Sequence, residues 1–314
     1  MKRRQLLLGL TTAVIGSSAM GQTSKLKIAF ANYNDESSFG TVVLRGMQRA
    51  AKARSDIDVV FFDNKQDAAK AVENARTIVA MRADAFIEYN TIAPSANQMI
   101  GRLMASAGIP VLSVQSPVPD TPIFAVDNAL AGAESGKALA QASRAKWPNV
   151  KPAIVLIGLP ESGPMFVERT SNARKALEEV YPDVAFEDHS SKNDPAVARQ
   201  VTADLLTKNP GGKVLIWSHA DQMGIAALTA ARAAGRESDV LISATGGEAI
   251  SFPEIRKPNS AYVGTFSFFP EEWGGDLLNA AVKLARKEKL PAVISPSKQL
   301  FVSRDNIDQL FPAQ

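Results

Sequence analysis

The sequence predicts an α/β protein made of two doubly wound parallel-sheet units of similar plan. The chain of 314 residues is long for one domain and of ordinary length for two. Short apolar runs rich in Val, Ile and Phe alternate with stretches of helical spacing, which is typical of a parallel sheet covered by helices on both faces. The alternation occupies residues 26–114 and repeats from about residue 153, so two such units are expected.

The elements of the first unit follow in order from these runs. Strands are predicted at residues 26–31, 58–62, 85–89 and 110–114. Helices are predicted between them at residues 39–53, 68–81 and 95–107.

The second unit repeats the plan. Strands are predicted at residues 153–157, 184–186, 214–217 and 240–244, and helices near residues 166–180, 196–208, 222–234 and 248–255. The helix starts also repeat, because Asp67 and Asp194 stand where a carboxylate accepts hydrogen bonds from unpaired backbone N–H groups. Pro195 fits the first helical position after Asp194.

Residues 1–21 are predicted to be a cleaved secretory signal. A basic start precedes an apolar run from Leu6 to about Gly16, and small residues follow; the alternative is a genuine first helix. The pair Arg3-Arg4 resembles a twin-arginine signal, but ordinary export signals also carry two basic residues, so both export routes stay open. We expect the mature protein to lie free in a periplasm, since no cysteine is present to carry a lipid.

Composition excludes several classes of function. Without cysteine there is no disulfide, thiolate metal site or cysteine nucleophile, and two histidines argue against a multi-histidine zinc site. No metal or other cofactor is predicted. Three of the 35 basic residues lie within the first four positions, and the rest balance the 32 acidic residues. The basic character therefore belongs to the signal and does not indicate nucleic-acid binding.

Ligands of doubly wound sheets bind beyond the carboxyl ends of the strands. Two units that face each other would form a cleft there, lined by the residues that follow each strand. Those segments are residues 32–39, 89–91, 115–116, 159–169, 190–193, 218–221 and 245–248.

Several segments at these strand ends carry a family resemblance. They include DNKQDAAKAV, AGIPVLSVQS, FAVDNALAGAESGKALA, NDPAVARQVTADLL and HADQMGIAALTAARAAG. In order and spacing they resemble the periplasmic sugar-binding proteins of the ribose and galactose type, which serve ABC importers, from about Lys25 to Asp308. Regulators of the lac-repressor type share the fold, but they carry a helix-turn-helix where this chain has its signal.

The resemblance implies a type I periplasmic binding fold, with two lobes joined by a three-crossover hinge. The N-terminal lobe would comprise residues 25–127 and 269–296, and the C-terminal lobe residues 128–268 and 297–314. It also implies a monomer without catalytic activity that closes on a sugar or polyol and presents it to an ABC permease. Presentation to a chemoreceptor or sensor kinase is the alternative.

The family's ligand-binding positions can be carried over to the first lobe. The turn before the first helix corresponds to residues 37–40, so Ser37 and Phe39 are candidate contacts, while a second aromatic is replaced by Gly40. The family's Asp-Arg pair after the fourth strand corresponds to Gln115 and Ser116, which leaves neutral hydrogen bonding in place of a charged contact.

The second lobe supplies the remaining matches. Arg169 is retained from the family, whereas Asn193 replaces an aromatic and Thr245 replaces an aspartate. Asp221 keeps the acid of an Asn-Asp pair, and Phe268 replaces a glutamine at the third crossover.

Compared with the pocket of the resembled family, this sequence loses polar groups and could gain aromatic side chains. Tyr33, Tyr89, Trp217 or Phe268 could supply them, and His219 lies in a loop near the cleft. These departures favour a deoxysugar, a small polyol or a sugar derivative over ribose, glucose or galactose. An acid sugar that meets Arg169 stays open.

An exported hydrolase is the competing class of function. It is disfavoured because the chain contains no G-x-S-x-G elbow, no G-x-G-x-x-G loop and no Walker loop. We therefore expect a binding protein.

Overall fold

The computed structural model describes residues 25–91 and 94–312, and the predicted signal at residues 1–21 lies outside them. The strands are β1 (Leu26–Asn32), β2 (Ile57–Asp63), β3 (Ala85–Glu88), β4 (Val111–Val114), β5 (Ile123–Phe124), β6 (Ala153–Gly158), β7 (Phe186–Ser190), β8 (Val214–Ser218), β9 (Val240–Gly246), β10 (Tyr262–Ser267), β11 (Val293–Ile294) and β12 (Leu300–Ser303). The helices are α1 (Ser38–Lys52), α2 (Ala68–Ala80), α3 (Pro94–Ala107), α4 (Asn128–Lys146), α5 (Pro164–Glu178), α6 (Pro195–Lys208), α7 (Asp221–Ala233), α8 (Phe252–Arg256), α9 (Trp273–Ala285) and α10 (Ile307–Leu310).

These strands form two six-stranded sheets. The first sheet has the order β11-β5-β4-β3-β1-β2 and is parallel throughout. The second has the order β12-β10-β9-β8-β6-β7, with β12 antiparallel to β10 and the other pairs parallel. The prediction of two doubly wound parallel-sheet lobes is confirmed.

Both sheets are covered on both faces. Ile28 and Phe30 of β1 belong to one apolar cluster, and the alternating residues Ala29 and Ala31 belong to another. Every residue of β3, β4, β8 and β9 is buried, which explains why these strands read as continuous apolar runs. Within residues 25–91 and 94–312, every helix is too short or too polar to span a lipid bilayer.

The chain crosses between the sheets three times, as the resemblance implied. It leaves the first sheet after β5, leaves the second after β10, and returns to it between β11 and β12. Between the last two crossings, α9 packs on the first sheet. Phe268 therefore lies at the second crossover in chain order, and its expected place at the third is corrected.

Local signals account for most helix starts. Asp67 accepts a hydrogen bond from Lys70 N at 2.7 Å, and Asp194 accepts one from Ala196 N at 2.8 Å, so both predicted N-caps are confirmed. Pro195 occupies the first turn of α6 as expected.

Two elements lie elsewhere than predicted. Strand β7 begins at Phe186 rather than at residue 184, because it is an edge strand whose polar residues are only partly buried. Helix α8 begins at Phe252 rather than at residue 248, because residues 246–248 are held in a loop described below.

Helices α4 and α5 approach each other closely through glycines on α4. A Cβ atom added at Gly132 would lie 2.0 Å from the carbonyl oxygen of Arg169, and one added at Gly136 would lie 2.6 Å from that of Ala173. Glycine at these two positions therefore sets the distance between the helices, and with it the position of α5 over the second sheet.

Substitution Gly136→Ala is expected to lower the free energy of unfolding by about 1–3 kcal/mol, because the added methyl group meets backbone that must move. The matched control is Gly275→Ala on α9, where a Cβ would have no neighbour within 4 Å. There the same change should raise stability by about 0.5–1 kcal/mol through helix propensity. Denaturant unfolding of both variants measures the difference, and equal effects would contradict close packing at Gly136.

Candidate functional site

A cleft lies between the two sheets at the carboxyl ends of their strands. Its empty volume, counted with its open mouth, is ≈ 510 Å³. Eight of the predicted site residues line it: Phe39, Tyr89, Gln115, Arg169, Asn193, His219, Thr245 and Phe268.

The other three predicted residues do not line the cleft and have other contacts. The Ser37 hydroxyl accepts a hydrogen bond from Gly40 N and donates one to the Tyr33 hydroxyl at 2.6 Å. Ser116 Oγ accepts a hydrogen bond from Asn97 at 3.0 Å. Asp221 is buried behind the lining, where it holds the loop after β9, as described below.

Tyr33, expected from the sequence as possible aromatic surface, also lines the cleft. Further lining residues were not singled out from the sequence; they are Thr91, Leu159, Phe166, Ala220, Gly246, Glu248 and Trp273. All except Trp273 fall within the segments that follow predicted strands, so position at a strand end is the signal that finds them. Trp217, in contrast, lies in the core beneath α4, where its indole N–H donates to Ser135 Oγ at 2.7 Å.

Aromatic rings form much of the wall. Tyr33 and Tyr89 meet edge to face with their ring centroids 4.9 Å apart. Phe39 meets Trp273 at 5.4 Å and Phe268 at 6.4 Å. Such edge-to-face contacts fix the rings against one another, so the cleft has a rigid apolar surface that can cover the C–H face of a ring-shaped ligand.

Arg169 is the charged group of the second lobe that lines this wall. Its side chain is only 4% exposed, and its guanidinium carbon lies 4.9 Å from the ring centroids of both Phe166 and Phe268. Nε donates to Asn128 at 2.8 Å, and Nη1 donates to the carbonyl oxygen of His219 at 3.1 Å.

No ion pair of Arg169 with an acid occurs among the described residues, and none of its hydrogen bonds there uses Nη2. Burial lowers the pKa of Arg169 to about 10, so the guanidinium stays charged at neutral pH. One donor group of a buried cation is thus available to a ligand.

Gln115 has no hydrogen-bond partner for either end of its amide. It is 3% exposed, yet neither Nε2 nor Oε1 meets a partner in the described chain. Its backbone has φ 58°, the left-handed region that a non-glycine residue seldom adopts. A strained backbone that presents an unsatisfied amide to a cleft is a feature of binding sites, because the structure around it maintains the strain.

Glu248 places a carboxyl group in the cleft wall. It is 1% exposed, and its Oε2 meets no partner in the part of the chain that the structure describes. Burial first, and the nearby Asp221 second, raise its pKa to about 8.

Asp221 stands behind Glu248. It accepts hydrogen bonds at 2.7 Å from the backbone N–H groups of Gly247 and Glu248 and one at 2.6 Å from the Tyr262 hydroxyl. Gly247 has φ 82°, and a side chain there would collide with Ser267, so only glycine fits this turn. Burial raises the pKa of Asp221 to about 6.

His219 contributes neutral contacts. Its Nε2 lies 2.8 Å from Ser191 Oγ, and its carbonyl oxygen accepts hydrogen bonds from Thr245 and Arg169. Burial, and then the charge of Arg169, lower its pKa to about 3, so the ring carries no charge at neutral pH. Among the described residues, no group of three or more His, Asp or Glu side chains is arranged to hold a metal ion.

The arrangement suits a small polar ligand with apolar faces. Aromatic walls match C–H surfaces, while Gln115, Arg169 and Glu248 offer hydrogen bonds to groups at its edge. Both sheets contribute residues, so a bound molecule would be enclosed from two sides.

Comparison with known proteins shows which proteins this chain resembles in sequence and in fold. A putative rhizopine-binding protein from Rhizobium meliloti is 25% identical over 255 residues, which cover 76% of this chain and 77% of that protein. A periplasmic solute-binding protein from Actinobacillus succinogenes with bound D-allose superposes with a TM-score of 0.80 at 22% identity, over 91% of this chain and 100% of the other.

A solute-binding protein from Mycobacterium smegmatis with bound glycerol gives a TM-score of 0.83 at 20% identity, over 93% of this chain and 98% of the other. These two likenesses bear out the fold. The sequence model of the periplasmic binding protein domain matches residues 28–289. Because this match spans most of the chain, the protein belongs to the periplasmic binding protein domain family, and the resemblance seen in its sequence is confirmed.

Proposed function

We propose that the protein is a periplasmic solute-binding protein that captures a sugar or polyol in the cleft and delivers it, chemically unchanged, to an ABC importer. The lobes would be residues 25–127 with 269–296 and residues 128–268 with 297–314. Residues 1–21 would direct export and be removed. Family membership supports this proposal, as do the D-allose and glycerol held by similarly folded proteins.

The observation that carries the proposal is the set of unpartnered polar atoms in the cleft. Within residues 25–91 and 94–312, both amide atoms of Gln115 and Oε2 of Glu248 are buried without partners, and no hydrogen bond uses Nη2 of Arg169. A buried polar atom left unpaired costs about 1–3 kcal/mol. A ligand rich in hydroxyl groups removes that cost, because each hydroxyl can both donate and accept.

Contacts between the lobes support a closing motion. Ser38, at the start of α1 beside the first sheet, interacts with the carboxyl group of Glu248 beside the second sheet. Burial raises the pKa of Tyr89 beside the first sheet, and two groups beside the second sheet also act on it: the charge of Arg169 lowers this pKa and that of Glu248 raises it. Ligand-dependent closure would therefore bring together residues that are far apart in sequence and complete the site.

Screening melting temperature against pentoses, hexoses, deoxysugars, polyols and sugar acids tests the proposal. A ligand at about 100 times its dissociation constant should add about 2.7 kcal/mol to the free energy of unfolding. Substitution Arg169→Ala should weaken binding of the identified ligand at least about tenfold, because a charged hydrogen bond and the packing of two rings are lost.

The matched control for Arg169→Ala is Arg174→Ala on the same helix. Arg174 pairs with Glu178 and Asp188 outside the cleft, so affinity should be unchanged. Equal affinity of Arg169→Ala and the unmodified protein would remove Arg169 from the site. Stabilisation by no compound in the panel, or chemical conversion of the ligand, would contradict the proposed function.

Substitution Gln115→Leu is expected to separate stability from function. The free protein should be as stable as the unmodified one or more stable, since two buried unpaired atoms are replaced by apolar ones of similar shape. Ligand affinity should fall about tenfold or more, because the amide contacts are lost. Gln200→Leu on the exposed face of α6 is the control: it should leave affinity unchanged and alter stability by no more than about 0.5 kcal/mol, since its amide donates only to exposed Asp204. A Gln115→Leu protein with unchanged affinity would show that the amide does not meet the ligand.

A further inference from the structure

Two carboxyl groups lie together at one part of the cleft without a cation. Among the described residues, the ion pairs include neither Asp221 nor Glu248. Asp221 is satisfied by two backbone N–H groups and the Tyr262 hydroxyl. Glu248 is only partly satisfied: Ser38 and the backbone N–H groups of Asp221 and Gln222 donate to its carboxyl group, but no described residue meets its Oε2, and the side chain is almost fully buried.

Among the described residues, no cationic side chain is packed around Glu248. Ser38 faces it from α1, and the first backbone N–H groups of α7 and the carboxyl of Asp221 face it from the start of that helix. Tyr33, Tyr89 and Tyr262 lie in the segments after β1 and β3 and in β10; burial raises the pKa of each, and the charge of Glu248 raises it further.

The cation of the cleft is engaged elsewhere. Arg169, on α5, donates to Asn128, His219 and Thr245. His219 is neutral near pH 7, because burial and Arg169 lower its pKa to about 3. In its ionised form the carboxyl of Glu248 would therefore lack a cationic partner among the described residues, and a buried carboxylate without one is unstable.

The surroundings suit a cation as well as a hydroxyl group. Tyr33 and Tyr89 pack edge to face beside Glu248, and Trp273 lies 6.4 Å from Tyr89 between ring centroids. Aromatic faces attract ammonium groups, most strongly where water is excluded. Gln115 offers a second, independent unpartnered group in the same cleft, with a donor and an acceptor for a neighbouring hydroxyl.

We infer that the ligand is an amino-substituted sugar or polyol whose ammonium group pairs with Glu248 while its hydroxyl groups meet Gln115 and Arg169. This inference rests on the proposed function and names the chemical class of the solute. Glu248 is then a specificity-determining contact, and Asp221 is a positioning residue that holds the loop carrying it. A ligand of the same shape with a hydroxyl in place of the amine leaves the carboxyl without a cation and binds more weakly.

The pH dependence of binding follows from this pairing. Burial first, and then Asp221, raise the pKa of Glu248 in the free protein to about 8, whereas an ammonium partner requires the carboxylate. Binding therefore releases a proton near neutral pH, and affinity rises with pH until the ligand's own ammonium begins to lose its proton. A neutral ligand that accepts the Glu248 proton would give the opposite sign, with affinity falling as the pH passes about 8.

Titration calorimetry with matched ligand pairs tests the inference. The probes are D-glucose with D-glucosamine, D-galactose with D-galactosamine, and myo-inositol with an amino-deoxy inositol. For the pair that binds, the amine should be preferred at least about tenfold near pH 7, where the ligand is still an ammonium ion. Titrations in two buffers of different ionisation enthalpy should show proton release for the amine in the unmodified protein.

Substitution Glu248→Gln provides the second measurement. It should weaken binding of the amine at least about tenfold and of the hydroxyl partner by less than about threefold. Glu161→Gln, which removes an exposed acid near the mouth of the cleft, is the control and should change neither. Should Glu248→Gln fail to fold, proton release by the unmodified protein still decides the question.

Each outcome has one meaning. Preference for the hydroxyl member, or binding of the amine without proton release, overturns the inference and leaves the proposed function standing. If neither member of any pair binds, the inference is overturned, and the proposed function is overturned with it when the broader panel also yields no ligand. Preference for the amine that disappears in Glu248→Gln supports both.

Discussion

The geometry of the cleft depends on how Arg169 is held. Its guanidinium group donates hydrogen bonds to Asn128, His219 and Thr245, and it lies between two phenylalanine rings. It thereby joins the start of α4, helix α5, the loop after β8 and the end of β9. The close approach at Gly132, where a Cβ would strike the Arg169 carbonyl, fixes the backbone that carries this side chain. Arg169 therefore holds these elements together through its three partners, and its Nη2 group stays available to a ligand.

Buried polar groups of the site differ in their hydrogen bonding. Asp221 is satisfied by the loop that it holds, and His219, in the lining, by Ser191 and its neighbours. Gln115 and Glu248 also line the cleft, but each keeps at least one polar atom without a partner among the described residues; Glu88, outside the lining, does so too. Satisfied groups give rigidity, whereas an unsatisfied group in the lining can gain a hydrogen bond from a ligand. Gln115 combines such a group with a strained backbone.

The sequence predicted the architecture well, for a simple reason. Strands such as β8 and β9 are buried on both faces, so they appear as uninterrupted apolar runs between helical stretches. The polar edge strand β7 has a weak apolar pattern, so its position in the sequence was predicted wrongly. Helix α4 was not among the predicted helices; its closely packed face uses glycines, which a search for apolar spacing does not detect.

Individual contacts were harder to predict than segments. The segments after the strands contain nearly every lining residue, but the side chain that enters the cleft depends on local hydrogen bonding. Asp221 matched a family acid yet turns away to hold the Gly247 loop, and that loop presents Glu248 instead. Trp217 and Trp273 could not be distinguished by type; the first faces α4, and the second, on a returning helix, faces the cleft.

The same unpaired groups explain how occupancy and closure would be coupled. Closing the lobes without a ligand buries Gln115 and Glu248 with no partners, at about 1–3 kcal/mol for each group. An equilibrium displaced by a few kcal/mol leaves the closed form a minor species until a ligand binds it selectively. A cleft whose polar groups were already satisfied would close as readily when empty, and a membrane partner could not distinguish loaded from unloaded protein. Under the proposed function, incomplete hydrogen bonding in the cleft would therefore make closure depend on the presence of a solute.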